Sequence, residues 1–246
     1  MNSLKKVVMI LALGSMQMFM TSCEELGLGD IGEVELSEET IIEGLRQALK
    51  VGSDTAVTGL NKSDGYYRDE AVKIFLPEEA QVVYGYLSYL PTDIVEQNIM
   101  AINRAAEDAA KEATPIFVNA ITDLTIQDGF DILHGEDTAA TTYLKGKTYQ
   151  ELYYAFKPKI DVSLNKELIL GISAENMYSK LINTYNTASL NGFLFDKITT
   201  NSLSEHTTNR ALTGLFRKVA DEETLIRKDP IHRVTEILEK VFAEQD

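Results

Sequence analysis

The chain has 246 residues, 44% hydrophobic and 8% aromatic, enough to bury a well-packed core without disulfide or metal staples. Its formal charge of −15 repels phosphate backbones and anionic headgroups, which argues against a nucleic-acid partner. The single cysteine, Cys23, rules out an internal disulfide.

Lys5 and Lys6 open the chain, and an apolar run from Val7 to Met20 follows, broken by Ser15 and Gln17. Thr21, Ser22 and Cys23 then end it. A positive start, a short apolar stretch and small residues before a cut point make a secretory signal. The cysteine placed there resembles the bacterial lipobox, although Met20 and Thr21 stand where leucine and alanine or serine are commoner. The resemblance implies cleavage before Cys23 and acylation of that residue, so the expected membrane partner is the lipid itself and the expected location is the cell envelope. An uncleaved transmembrane anchor would need about 20 uninterrupted apolar residues. Without Lys5 and Lys6 the charge of −15 becomes −17. Glu24 and Glu25 resemble the export acids of surface lipoproteins in the Bacteroidetes, and serve equally as the start of an acidic tether. Residues 1–22 are therefore predicted as signal, 23–37 as acylated cysteine and tether, and 38–246 as one domain. Gly27, Gly29 and Gly32 match the spacing of a dinucleotide loop but have no preceding strand, and are assigned to the tether.

Ser37 is placed to cap a helix whose apolar positions Ile41, Leu45, Ala48, Leu49, Ala56 and Leu60 recur at helical spacing. Asn61 to Gly65 is a turn signal. Ala71 to Leu76 reads as extended, so a small hairpin is allowed near residues 65–76. Pro77 suits the first turn of a helix, with Glu78 and Glu79 at its positive end. From Asp93 to Ala113, Val95, Ile99, Ile102, Ala106, Ala109 and Ala113 make one apolar seam, lined in its second half by alanine. Thr114-Pro115 is predicted to end that helix and cap the next, through Ile121. Thr125 and Asp128 form a capping pair for another, stopped at Gly135. Asp137 is predicted to cap a short helix ending before Gly146, and Thr148 with Glu151 to open a separate one through Phe156. Asn176 to Asn186 is helical. Leu212, Leu215, Phe216 and Val219 form a further stripe. Asp229-Pro230 begins a last helix with Ile231, Val234, Leu238 and Val241 as its apolar face. The fold class is all-α, a single multi-helix domain.

Asn103-Arg-Ala-Ala-Glu107, Ala113-Thr-Pro-Ile-Phe117, Asp128 to Gly135, Ala139-Ala-Thr141, Tyr143, Phe156-Lys-Pro158, Ala211 to Phe216, Glu222-Glu223, Ile226-Arg227 and Val241-Phe242 occur in order. Together they resemble the bacterial domain of unknown function 4197, across about residues 40 to 243. Gly129 departs from a usual alanine and Ala243 from a usual glycine. The resemblance implies a helical envelope protein and supplies no activity.

His134, His206 and His232 have no metal-ligand spacing, and no P-loop, nucleophile elbow or calcium loop occurs, so neither metal nor cofactor is expected. The strongest polar constellation is Asn103, Arg104, Glu107 and Asp108 beside the alanine seam, with Glu222, Glu223 and Arg227 as a second set. Buried charges of this kind must be paired. Two outcomes stay open: ion pairs that fix helix packing, or convergence on a polar pocket. The leading functional expectation is a non-catalytic binding module. A carrier or sensor of a small or apolar ligand held against the alanine-rich helix is the alternative. A hydrolase using Glu107 and Glu222 as paired carboxylates comes third.

Overall fold

The computed structural model describes residues 37–86, 92–167, 171–194, 196–199 and 202–243. The predicted signal, Cys23 and the tether up to Leu36 lie outside them. The chain divides into Met1–Glu35 and Leu36–Asp246, and the described residues all belong to the second unit.

Nine α-helices occur among the described residues: α1 Glu38–Asn61, α2 Glu78–Tyr86, α3 Thr92–Ala110, α4 Ala113–Thr122, α5 Ile126–Leu133, α6 Ala139–Leu164, α7 Ala174–Ala188, α8 Leu203–Lys228 and α9 Glu236–Phe242. No strand is found among these residues; a single isolated bridge joins Glu167 to Ser173. The all-α expectation is met. The caps read from sequence at Ser37 and Thr125 form as drawn, with Ser37 Oγ accepting from Thr40 N at 3.2 Å, while Asp229 accepts from Ile231 N but caps only a short 3₁₀ turn. At Thr125 the box is reciprocal: Asp128 N donates to Thr125 Oγ1 and Thr125 N to Asp128 Oδ2.

Four helices make the centre. α3 presents Ile102, Ala105, Ala106, Ala109 and Ala110, all fully buried, and its methyl-lined face lets α6 and α8 approach closely while α1 closes the same side. α1 in turn carries α4, α5 and α9 on its outer faces, and α2 packs on α7. Leu144, Thr148, Leu152, Phe156, Ile160 and Leu164 of α6 are buried at steps of four, a stripe that winds around the helix as it meets successive neighbours.

Five expectations are corrected. Asp137 does not cap a helix: Thr138 stands at the start of α6, Glu223 supplies the capping oxygens and the Asp137 carboxylate meets Lys228. The hairpin near residues 65–76 does not form. Those residues run as turns and coil, because no second strand faces Ala71–Leu76 and a side chain supplies its pairing instead. Ala113 opens α4 rather than closing α3, and Glu112, not Thr114, stands at the cap. The two helices expected around Gly146 are one. Burial of the four-step stripe outweighs a glycine that costs about 1 kcal/mol in a helix. Thr148 then turns its hydroxyl onto Leu144 O at 2.6 Å instead of capping. Finally, the chain after Pro230 is a short 3₁₀ turn and α9 starts at Glu236, leaving Ile231 86% and Val234 65% exposed while Leu238 and Val241 are buried.

Candidate functional site

Of the seven residues singled out from sequence, all but Asp108 fall into two buried clamps and one open groove. In the first clamp, Asn103 and Glu107 stand one turn apart on α3 and both reach the irregular segment between α1 and α2. Asn103 accepts from Ile74 N at 2.8 Å and donates to Ile74 O at 2.7 Å. Its amide thus does what a neighbouring strand would do. Glu107 Oε1 accepts from Tyr66 N at 3.1 Å and Tyr67 N at 3.2 Å, and Oε2 takes the Arg104 guanidinium at 2.6 Å. Its side chain is buried, as is Tyr66, whose hydroxyl donates to Ala211 O on α8 at 2.8 Å. Burial, then the Glu107 charge, pushes the Tyr66 phenol far above its ordinary range.

Arg104 extends this clamp outward. Its second guanidinium nitrogen meets Asp64 at 2.5 Å, and Asp64 also holds Arg68 at 3.1 Å. The hydrogen bond to Glu107, followed by that to Asp64, raises the Arg104 pKa despite partial burial. Asp64 adopts a left-handed backbone (φ 68°), which an Asp tolerates better than most residues and which turns the chain back toward α3. Sequence reasoning named the turn but not Asp64 as the partner of Arg104. The Asp-Gly pair at Asp64-Gly65 was the available signal. Asp108, the neighbour in the sequence constellation, faces Ser163 and Lys166 instead.

The second clamp belongs to α8. Glu223 accepts from Ala140 N at 2.9 Å, Thr141 N at 2.8 Å and Thr141 Oγ1 at 2.8 Å, so it caps the start of α6 from another helix. One turn on, Arg227 Nε binds Glu223 at 3.1 Å while its other nitrogens donate to Ile132 O and Leu133 O, the last carbonyls of α5. One ion pair therefore closes the end of α5 and the beginning of α6 together. Arg233, which the sequence pattern placed among the polar positions of the last helix, repeats the device on α8. It donates to Ile226 O at 3.1 Å and Arg227 O at 2.8 Å. Beside this clamp a small, mostly apolar cavity of about 20 Å³, bounded by Leu45, Leu49, Ile132 and Phe242, has room for one water.

Glu222 joins neither clamp. Burial raises its pKa, and its charged neighbours are His232, Lys218 and Asp221 rather than Glu107. It lines an open groove of about 520 Å³ between α1, the 62–70 turn and α8, together with Lys62, Asp64, Arg68, Asp69, Glu70 and Lys218. The first clamp reaches this groove through Asp64, and the α8 set reaches it through Glu222. Burial opposes ionisation of Asp69, but its 2.6 Å contact with Lys218 and the Ala71 N–H outweigh that and hold the carboxyl below its ordinary value. Among the described residues no group of three or more His, Cys, Asp or Glu is arranged to hold a metal ion. None of their helices is long and apolar enough to cross a membrane.

An all-helical domain whose buried charges bind main chain at helix ends and turns is the class that fold and site define. The chain belongs to the family described as "Protein of unknown function (DUF4197)", which it matches over residues 35–243. No curated protein and no solved structure matches it.

Proposed function

We propose that the protein is a lipid-anchored component of the cell envelope, acylated at Cys23 after removal of residues 1–22, and that its helical domain is a non-catalytic binding module. One observation carries the second part. The carboxylates best placed for chemistry, Glu107 and Glu223, are each buried and held by main-chain N–H groups and an arginine. A base or nucleophile needs a free lone pair facing a cleft; Glu223 takes four donors, one for each lone pair, and Glu107 takes three in a buried position. Glu222, the remaining candidate, faces different neighbours from Glu107. The lipid anchor is supported by the signal-like run and the lipobox-like Thr21-Ser22-Cys23.

A second reading has its own support. The groove beside Glu222 is within the ordinary size range of a small-molecule site, and its walls carry both signs of charge. It would suit a small polar ligand rather than an apolar one. The alanine face of α3 is filled by α6 and α8, and the small apolar cavity beside Arg227 is water-sized. Native mass spectrometry of the protein, extracted gently from its own membrane, separates the two. A stoichiometric protein adduct is the expected result. A constant small-molecule mass instead moves the assignment to the groove, and a bare monomer contradicts both readings.

A further inference from the structure

Just after α7, residues 189–194 make a tight turn that holds large apolar side chains in water. Leu190 is 59%, Phe193 84% and Leu194 56% exposed. This is a built turn. Asn186 closes its base, donating to Ile198 O at 3.0 Å and accepting from Ile198 N at 2.9 Å. Ser189 Oγ donates to Asn186 O at 2.9 Å, and Gly192 N, Phe193 N and Leu194 N bond to Ser189 O or Leu190 O within the turn. Leu190 itself is left-handed (φ 51°), a conformation costly for a leucine. The backbone thus bears strain while three hydrophobic side chains stay exposed, and exposed apolar clusters of this kind mark contact surfaces.

We infer that the 190–194 turn dips into the lipid surface to which the chain is anchored; the inference rests on acylation of Cys23. Three features favour lipid over protein as the occupant. From Thr184 to Phe195 the sequence has no charged residue, and of the pair that follows, Asp196 and Lys197, the lysine packs beside Gly192 on a stem long enough to keep its ammonium at the headgroups. The N–H groups of residues 192–194 are already bonded within the turn, which removes the main penalty for moving backbone out of water. Residues 24–36 separate Cys23 from Ser37, a span of at most roughly 50 Å at full extension. A bilayer is therefore always within reach of the domain, at high effective concentration. The acidic charge of the chain selects uncharged or zwitterionic headgroups over anionic ones.

The chain has no tryptophan, so Phe193→Trp gives a single reporter in the full protein, with Tyr154→Trp on exposed α6 as the reference. Each variant is purified from membranes, reconstituted into phosphatidylcholine vesicles, and read by emission and by quenching from lipids brominated on the acyl chain. The expected result is blue-shifted, bromine-quenched emission at position 193 and water-like emission at 154. Water-like emission at both positions overturns the inference. A blue shift at 193 without bromine quenching overturns it too, and assigns the turn to a protein contact. Mass spectrometry of the N-terminal peptide from the same sample reads acylation separately. An acylated Cys23 with water-like emission from the Phe193→Trp variant rejects only the turn, whereas an unmodified Cys23 rejects the anchor and the inference together.

Discussion

Glu223 is a carboxylate whose burial is compensated by geometry: two main-chain N–H groups, one hydroxyl and one guanidinium converge on two oxygens. Breaking a buried pair leaves the partner charge uncompensated, which is far more destabilising than the pair is stabilising. Glu223→Gln keeps the shape but puts an amide donor against N–H groups and strips Arg227 of its counter-charge. It should lower the unfolding free energy by about 3 kcal/mol, seen as a reduced urea midpoint with an unchanged slope. That these residues carry charge beside an apolar stripe was legible from spacing. What they hold was not, because the groups bound are carbonyls and N–H groups present all along the chain, brought near by the fold. Asn103 makes the point most plainly, since nothing in Asn103-Arg104 announces that an amide will pair with Ile74.

At the scale of the element, sequence punctuation succeeds where no tertiary force opposes it. Ser37 and Thr125 cap where expected. Around Gly146 the same logic fails. A break there would require a residue suited to a helix stop, while a continuous α6 requires only that glycine be tolerated. The two cases predict opposite signs for Gly146→Ala. In a continuous helix, with open space around the position, the added methyl should stabilise the protein by about 0.5–1 kcal/mol, measured as a raised thermal midpoint. A lowered midpoint would restore the two-helix arrangement. The start of α8 was hidden for a related reason. Thr207 and Thr208 look like loop residues in the sequence, yet both are buried and bond back to Leu203 O and Ser204 O. Polar composition masks a helix when its hydroxyls are satisfied one turn back.

The whole molecule depends on how closely α1 can be approached. α5 comes so near that a methyl at Gly129 would overlap Ile42 Cδ1, and this is the position where the sequence resemblance places alanine more often than glycine. The space an alanine methyl would fill on α5 is taken here by a methyl from α1. Gly129→Ala alone should destabilise by about 1–3 kcal/mol through overpacking. Ile42→Val, which removes the clashing carbon, should cost about 1 kcal/mol by itself. Combined, they should cost clearly less than the sum of the two, with a coupling of about 1 kcal/mol or more in a double-mutant cycle of urea unfolding. Additive effects would mean that α1 and α5 are farther apart than described.

The amino-acid sequence by itself determined the helical class, most periodic faces, the caps at Ser37 and Thr125 and the pairing need of the charged residues, because these follow from spacing within about one helical turn. It also carried the family resemblance that the match over residues 35–243 bears out. Only the tertiary structure decided that Glu107 and Asn103 serve the 64–76 segment, that Glu223 and Arg227 close the α5–α6 junction, and that Glu222 is left on a groove. Those hydrogen bonds join residues 29 to 95 positions apart. A local pattern states that a charge must find a partner; which partner lies within hydrogen-bonding distance is settled by how the helices pack.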